Sequence, residues 1–413
     1  MEYVESFFSD LETFGVKLGL ERVRRLFDAF GRPDEGLRFL HVAGTNGKGS
    51  VCALAASALS AAGFKTGLYT SPHLLSVRER FRIDGKAISE SALSALVEEA
   101  EPILADARKK GDSPTYFEMT TAMAARWFRE NGAEFAVWET GMGGRFDATN
   151  AVAPAITAIT PIALDHAAHL GGGVAEIAFE KAGIIKPGVP VVLDSTLSRE
   201  ARGVVERRAA ELDASLSQAP TPDRFEETFG IPLPSLSAPF LELAAPLAAA
   251  MVERLSRRFE FDVEGAVSEG FPRVRWPGRF HRLSDGSIID GAHNPSAAEA
   301  LAAALRSKCP GKRFPVVFAS SVDKDAAAAL EILAPFATEF IFPERIESGR
   351  SFAPAVELLA VARRLGVRAR LADDLVEATR IPRGIPALYA GSLYLAGDVL
   401  RLLEPRDGIL NVY

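Results

Sequence analysis

An apolar run, Phe39–Ala43, is followed by Gly44-Thr45-Asn46-Gly47-Lys48-Gly49-Ser50 and then by a helix-like stretch opening at Val51. Glycines at such a place let backbone N–H groups converge on an anion without Cβ clashes. The helix that follows adds the partial positive charge of its first turn. Lys48 is spaced to reach the β- and γ-phosphates of a nucleotide, and the Ser50 hydroxyl suits a magnesium ion. The spacing departs from the common G-x-x-x-x-G-K-[ST] loop, because Gly44 and Gly47 stand closer together and Gly49 separates Lys48 from Ser50. The competing reading, a glycine-rich turn that binds nothing, is disfavoured by the strand–loop–helix context.

Such a loop needs a strand and a helix to hold it, and the chain supplies that pair repeatedly. Short apolar runs at Phe39–Ala43, Thr66–Tyr69, Phe135–Trp138, Ala155–Ile159, Val189–Leu193, Ser287–Ile289, Val316–Ala319, Phe340–Phe342 and Ala387–Ala390 alternate with helical patterns. Runs apolar throughout, separated by helices, predict a parallel sheet covered on both faces. The expected class is therefore α/β: an N-terminal P-loop ATPase-type domain with a parallel-rich central sheet, plus a smaller C-terminal Rossmann-like α/β domain. Between Ser195 and Leu255 a charged helix, Arg199–Leu212, gives way to six prolines between Pro220 and Pro246, which predicts a surface excursion followed by an Ala-rich helix. Ser284-Asp285-Gly286 supplies a turn, so the expected division is residues 1–280, a linker at 281–286 and a second domain at 287–413.

A chain of 413 residues is too long for one ordinary core and fits two domains. Lys plus Arg total 47 against 54 for Asp plus Glu, a net charge of −7, which argues against a nucleic-acid partner. Cys52 and Cys309 lack Cys or His companions at metal spacing, so they read as thiols in a reducing compartment. The acidic start, Met1-Glu2-Tyr3-Val4-Glu5, lacks a signal peptide's basic region, and the apolar run Ala244–Val252 is too short to span a bilayer. A cytoplasmic protein with no membrane partner, acting as a monomer, is expected.

The glycine-rich loop resembles the ATP loop of the Mur-ligase superfamily, and its Gly49-Ser50 ending resembles the folylpolyglutamate synthase/dihydrofolate synthase branch. Further stretches agree with that branch in order: Tyr69–Leu74, Thr115–Glu118, Glu139–Asn150, Leu164–His166, Glu180–Ile184, Trp276–Arg279, Asp290–Pro295 and Gly391–Tyr394. Together they span about residues 39 to 400. The resemblance implies an amide ligase using ATP and Mg2+, in which L-glutamate joins a pteroate or folate acceptor through an acyl phosphate. Phosphoryl transfer needs cations around the γ-phosphate more than covalent help.

By the same resemblance, the nucleotide lies on Gly44, Thr45, Asn46, Gly47, Lys48, Gly49 and Ser50, with Arg279, Asp290 and His293 from the second domain. Lys48, Lys181, His166 and Arg279 are the implied catalytic groups, and Ser50, Ser71, Glu139, His166 and Lys181 the implied metal site. A hydroxyl and a carboxylate are hard ligands that magnesium prefers, whereas histidine is unusual for it. Taken singly, Glu139 reads equally as a helix cap or a loop salt bridge, and Asp165 and His169 as neighbours of the metal site or surface groups. Family counterparts of Lys181 are carbamylated. A free lysine is neutral in only about one molecule in two thousand at pH 7, so the site has to favour the neutral amine. An ordinary salt bridge to Glu176 or Glu180 is the alternative. Thr115, Tyr116, Phe117 and Glu118 would line a pterin pocket with Arg145, Phe146, Asp147 and Ala148, by stacking and by accepting N–H donors. Tyr116 and Phe117 also fit as core residues, Asp290 as a helix cap, Arg279 as an interdomain salt bridge, and Asp323-Lys324-Asp325 as structural or glutamate-adjacent.

One stretch departs from the branch. Where it carries Gly-x-His-Gln-x-x-Asn-Ala, this chain reads Ala238-Pro239-Phe240-Leu241-Glu242-Leu243-Ala244-Ala245, with Glu242 in place of the asparagine. A carboxylate cannot donate as an amide does, so weaker ATP affinity or base recognition from elsewhere is expected. Two rival readings stay open: a divergent amino-acid ligase with another carboxylate acceptor, and a nucleotide-binding module that has lost catalysis.

Overall fold

The computed structural model describes residues 2–12, 19–164, 172–347, 351–380, 385–404 and 410–413. The chain divides into two compact units: Met1–Ser237 with Leu241–Arg275 and Leu410–Tyr413, and Ala238–Phe240 with Trp276–Ile409.

The first unit is built on an eight-stranded sheet of order β4-β3-β2-β5-β1-β6-β7-β8. Its strands are β1 (Arg38–Ala43), β2 (Thr66–Tyr69), β3 (Arg82–Ile83), β4 (Lys86–Ala87), β5 (Phe135–Glu139), β6 (Pro154–Ile159), β7 (Val191–Leu193) and β8 (Leu216–Gln218). From β2 to β8 every pairing is parallel, so the loops following β2, β5, β1 and β6 leave one edge side by side. In open α/β sheets that carboxyl edge is where ligands bind.

Both faces are covered, which accounts for strands that are apolar throughout. On one face Phe39, Tyr69 and Trp138 pack with residues of the helices Glu2–Glu12, Glu21–Ala29, Glu90–Lys109 and Tyr116–Glu130. Towards β6 and β7 that layer continues as Ile159, Val191 and Leu193 against the helices Val174–Ala182 and Arg199–Glu211. On the other face Phe135 meets Phe259 edge-on at 5.2 Å, and Ser57 donates to the Gly270 carbonyl at 2.6 Å. The helix Lys48–Ala61 is buried along almost its whole length, as a core helix of alanines and leucines must be.

The second unit holds a six-stranded sheet of order β13-β12-β11-β14-β10-β9, from β9 (His281–Arg282), β10 (Ile288–Ile289), β11 (Phe314–Phe318), β12 (Ala337–Pro343), β13 (Ala369–Ala372) and β14 (Leu388–Ala390). All pairings are parallel except that of β9 with β10. Residues 281–286, expected as a linker, contain β9 and its turn into β10, and the contact boundary falls between Arg275 and Trp276. The pairing of β9 with β10 draws those residues into the second sheet. Among the described residues no helix is long and apolar enough to cross a membrane.

Candidate active site

The phosphate loop connects β1 to the helix Lys48–Ala61. Gly44 has φ +154°, and a Cβ there would lie 1.7 Å from Thr160 Oγ1, so the residue must be glycine for both conformation and space. The Thr45 N–H donates to the Pro161 carbonyl at 2.9 Å, which ties the loop to the segment following β6. Lys48 Nζ donates to the carbonyls of Gly44 and Thr45, both at 3.2 Å. Lys181, 137 residues away and buried, donates from Nζ to the same Gly44 carbonyl at 2.7 Å. Two of the expected catalytic residues therefore converge on one oxygen of the loop. Ser50 is buried in the first turn of the helix, and Asn46, Gly47 and Gly49 complete the loop and helix start.

Glu139 ends β5 beside Val42 of β1, and its Oε2 accepts the Ser71 N–H at 3.0 Å. The Cys52 thiol reports the same neighbourhood. Burial pushes it well up, the Glu139 charge adds to that rise, and Lys48 opposes it. His166, with Asp165 and His169, lies outside the described residues. Among the described residues no three His, Cys, Asp or Glu side chains form a metal cluster. Of the donors expected for a metal, the described residues supply two serine hydroxyls and the Glu139 carboxylate, all hard oxygens. That set fits magnesium, which takes few protein ligands and completes its shell with phosphate and water.

The turn Gly141–Asn150 fastens the helix carrying Lys181. The Arg145 N–H donates to the Glu180 carbonyl at 2.8 Å, and Asn150 Nδ2 donates to the carbonyls of Arg145 at 2.9 Å and Gly183 at 3.0 Å. A Cβ on Gly144 would lie 2.8 Å from the Glu180 carbonyl, so turn and helix are in backbone contact. Asp147 organises the turn from inside. Its Oδ2 accepts the N–H groups of Gly141 and Met142 at 3.0 and 2.9 Å, and its Oδ1 accepts from the Thr149 N–H and hydroxyl. Burial raises the Asp147 carboxyl above its ordinary value, and those bonds counter the rise. Because the Thr149 hydroxyl donates to Asp147, the buried His41 Nε2–H, 2.8 Å away, must donate to Thr149.

The expected pocket residues fall into two kinds. Thr115 and Glu118 form a capping box at the start of the helix Tyr116–Glu130, and Arg22 pairs with the buried Glu118 at 2.9 Å. Asp147 and Glu118 are therefore engaged with their own chain, and Ala148 is buried. Tyr116 and Phe117 pack half-buried against the core, Phe117 closing on Gly141 and on Tyr69 at 5.9 Å. Phe146 is exposed, and the Arg145 guanidinium stacks 3.7 Å over Phe179 with Glu180 at 3.8 Å. Arg22, His41 and Phe179 were not foreseen; nothing local in the sequence marks them.

In the second unit Asp290 follows β10 and is buried. It accepts the N–H groups of Phe280 at 2.7 Å and Ala292 at 2.8 Å. Burial raises its carboxyl, opposed first by Arg279 and also by His293, so these three residues share one corner. His293 Nδ1 donates to the Gly291 carbonyl at 2.9 Å, and Asn294 caps the helix Pro295–Lys308. Asp325 likewise caps a helix, Ala326–Leu333, and Lys324 lies 3.6 Å from Asp323. Phe240 faces Phe280 at 6.4 Å, so the start of the departing 238–245 stretch packs within this unit.

A parallel-sheet unit with a glycine-rich phosphate loop, followed in the chain by a second α/β unit, is the architecture of nucleotide-using ligases of the Mur type. Residues 278–402 match the family described as Mur ligase, glutamate ligase domain. The dihydrofolate synthase/folylpolyglutamate synthase of Bacillus subtilis is 34% identical over 421 residues, covering 95% of this chain and 96% of that protein. The chain belongs to the folylpolyglutamate synthase/dihydrofolate synthase family. A solved structure of the Mycobacterium tuberculosis folylpolyglutamate synthase, complexed with ADP, superposes with a TM-score of 0.85 at 29% identity, covering 98% of both chains. A probable bifunctional folylpolyglutamate synthase/dihydropteroate synthase of Haloferax volcanii is 39% identical over 330 residues, and the match spans 74% of this chain but only 39% of that protein.

Proposed function

We propose that this protein is an ATP-dependent ligase that joins L-glutamate to dihydropteroate, to reduced folates already bearing glutamate, or to both. The acceptor's carboxylate attacks the γ-phosphoryl of ATP, giving an acyl phosphate and ADP. The glutamate amine then attacks the acyl carbon, and phosphate and a proton leave. The observation that carries this reading is the convergence of Lys48 and Lys181 on the Gly44 carbonyl at the parallel sheet's carboxyl edge. Poised there, the Lys48 ammonium can exchange a backbone oxygen for phosphate oxygens and offset the charge that builds up in transfer, while Lys181 sits where its amine, once carbamylated, would face the metal.

Ser50, Ser71 and Glu139, with His166 and a carbamylated Lys181, would hold magnesium, which when bound neutralises charge on the phosphate oxygens. Glu139 and the Ser71 segment are already joined, so the chain itself fixes one side of that site. Asp290 and His293 would contact the nucleoside and Arg279 its phosphates. The faces of Tyr116, Phe117 and Phe146 would receive the flat pterin, with Arg145 beside them. Since Glu118 and Asp147 are satisfied internally, the pterin's N–H donors would be met by the rest of the 141–148 turn. Two buried free thiols agree with a protein working in the reducing cytoplasm.

The test is phosphate release with ATP and glutamate, supplying dihydropteroate and tetrahydrofolate separately. Release with either acceptor is expected, and release with neither would transfer the reading to another carboxylate.

A further inference from the structure

The loop that brings Ser71 to Glu139 is held by groups with no part in the chemistry described above. Glu79 gathers its middle: the carboxylate accepts the N–H groups of Leu74, Leu75 and Ser76 at 3.0, 2.7 and 2.8 Å. Arg82, in β3, gathers both ends. Its Nη1 donates to the Glu79 carbonyl and, at 3.4 Å, to Oγ1 of Thr70, the residue before Ser71, while Nη2 lies 3.8 Å from the Glu79 carboxylate. The guanidinium is buried, at 3% exposure, and its Nε donates to the Leu410 carbonyl at 2.9 Å.

The segment Leu410–Tyr413 is therefore part of the same construction. The Val412 N–H donates to the Gly85 carbonyl at 2.9 Å, and its carbonyl accepts the Arg275 N–H at 2.8 Å. Asn411 Oδ1 accepts the Ala87 N–H at 3.1 Å, the Val412 side chain is fully buried, and the Tyr413 ring lies against Gly85. This segment closes over the β3–β4 hairpin and presents the Leu410 carbonyl to Arg82.

We propose that Arg82 is a positioning residue for the metal side of the site, acting through Thr70 and Glu79 on the Ser71 loop, and that Leu410–Tyr413 holds it in that role. The inference rests on the assignment of Ser71 and Glu139 to magnesium, and it does not depend on which acceptor the enzyme uses. It is therefore tested by nucleotide binding. A non-hydrolysable ATP analogue is titrated with and without Mg2+ into the full-length protein and its R82K, R82Q and V412A variants, with folding checked by circular dichroism. The quantity read is the gain in affinity that Mg2+ confers. A fall of about tenfold or more in R82Q, partial recovery in R82K and a smaller fall in V412A are expected. An unchanged gain in folded R82Q, or in V412A should R82Q not fold, overturns the proposal and reduces Arg82 to a structural residue. A wild-type protein that releases no phosphate with any pteridine but keeps its Mg2+-dependent gain would sink the acceptor assignment and leave this one standing.

Discussion

Lys48 and Lys181 share an acceptor that neither needs once a triphosphate arrives, and Lys48 is predicted to matter through charge. Lys48→Ala should lower kcat for glutamate-dependent phosphate release by about a hundredfold or more, read by a coupled phosphate assay. Gly44→Ala should fail for a different reason. Its Cβ would overlap Thr160 Oγ1, so loss of nucleotide binding with a lowered Tm is expected, measured by analogue titration and thermal unfolding. His41 gives a pH signature. Burial first, and Lys186 second, push its imidazole down to about 3, so it stays neutral while donating to Thr149. An unfolded histidine takes up a proton as pH falls through about 6.5, whereas the folded one resists until near its own depressed value. The stability is therefore complete above pH 6.5 and is lost below it, at up to about 1.4 kcal/mol per pH unit. His41→Gln, which retains a donor, should flatten that slope in urea unfolding at pH 7, 6 and 5.

At the scale of elements, the turn Gly141–Asn150 and the helix Val174–Ala182 behave as one piece, because Asn150 bridges two carbonyls and Gly144 allows backbone contact. Asn150→Ala should cost about 1–3 kcal/mol in unfolding experiments, by leaving two part-buried carbonyls without this donor. It should also lower kcat more than it raises KM for the pteridine, because Lys181 moves with the helix. The order of residues in this stretch was legible in the sequence, but the direction of its polar groups was not. Asp147 looks like a ligand-facing carboxylate in one dimension, and only the folded turn turns both its oxygens inward. Glu118 was opaque for a similar reason: its partner Arg22 lies 96 residues away. The β3–β4 hairpin carries an Asp84-Gly85 turn with φ +47° and +73°, a signal that was present, yet strands of two residues offer no alternation to detect.

For the whole molecule, the nine apolar runs read from the sequence all contain strands, since burial on both faces leaves a compositional trace that survives without knowledge of partners. The edge strands β8, β9 and β13 were missed because exposure on one side dilutes that trace with Ser, His and Arg. The return of Leu410–Tyr413 to the first unit was equally hidden, since Arg82 and Leu410 are 328 residues apart. The strand order has one practical outcome. The site loops leave the carboxyl edge, whereas Gly63 and Gly132 sit in turns entering β2 and β5 from the far edge, where added atoms meet nothing within 4 Å. A short glycine-serine insert after either residue should keep specific activity within about twofold, whereas the same insert after Gly47 should abolish it. That rear rim is accordingly the place to graft a reporter or a surface anchor onto a working enzyme.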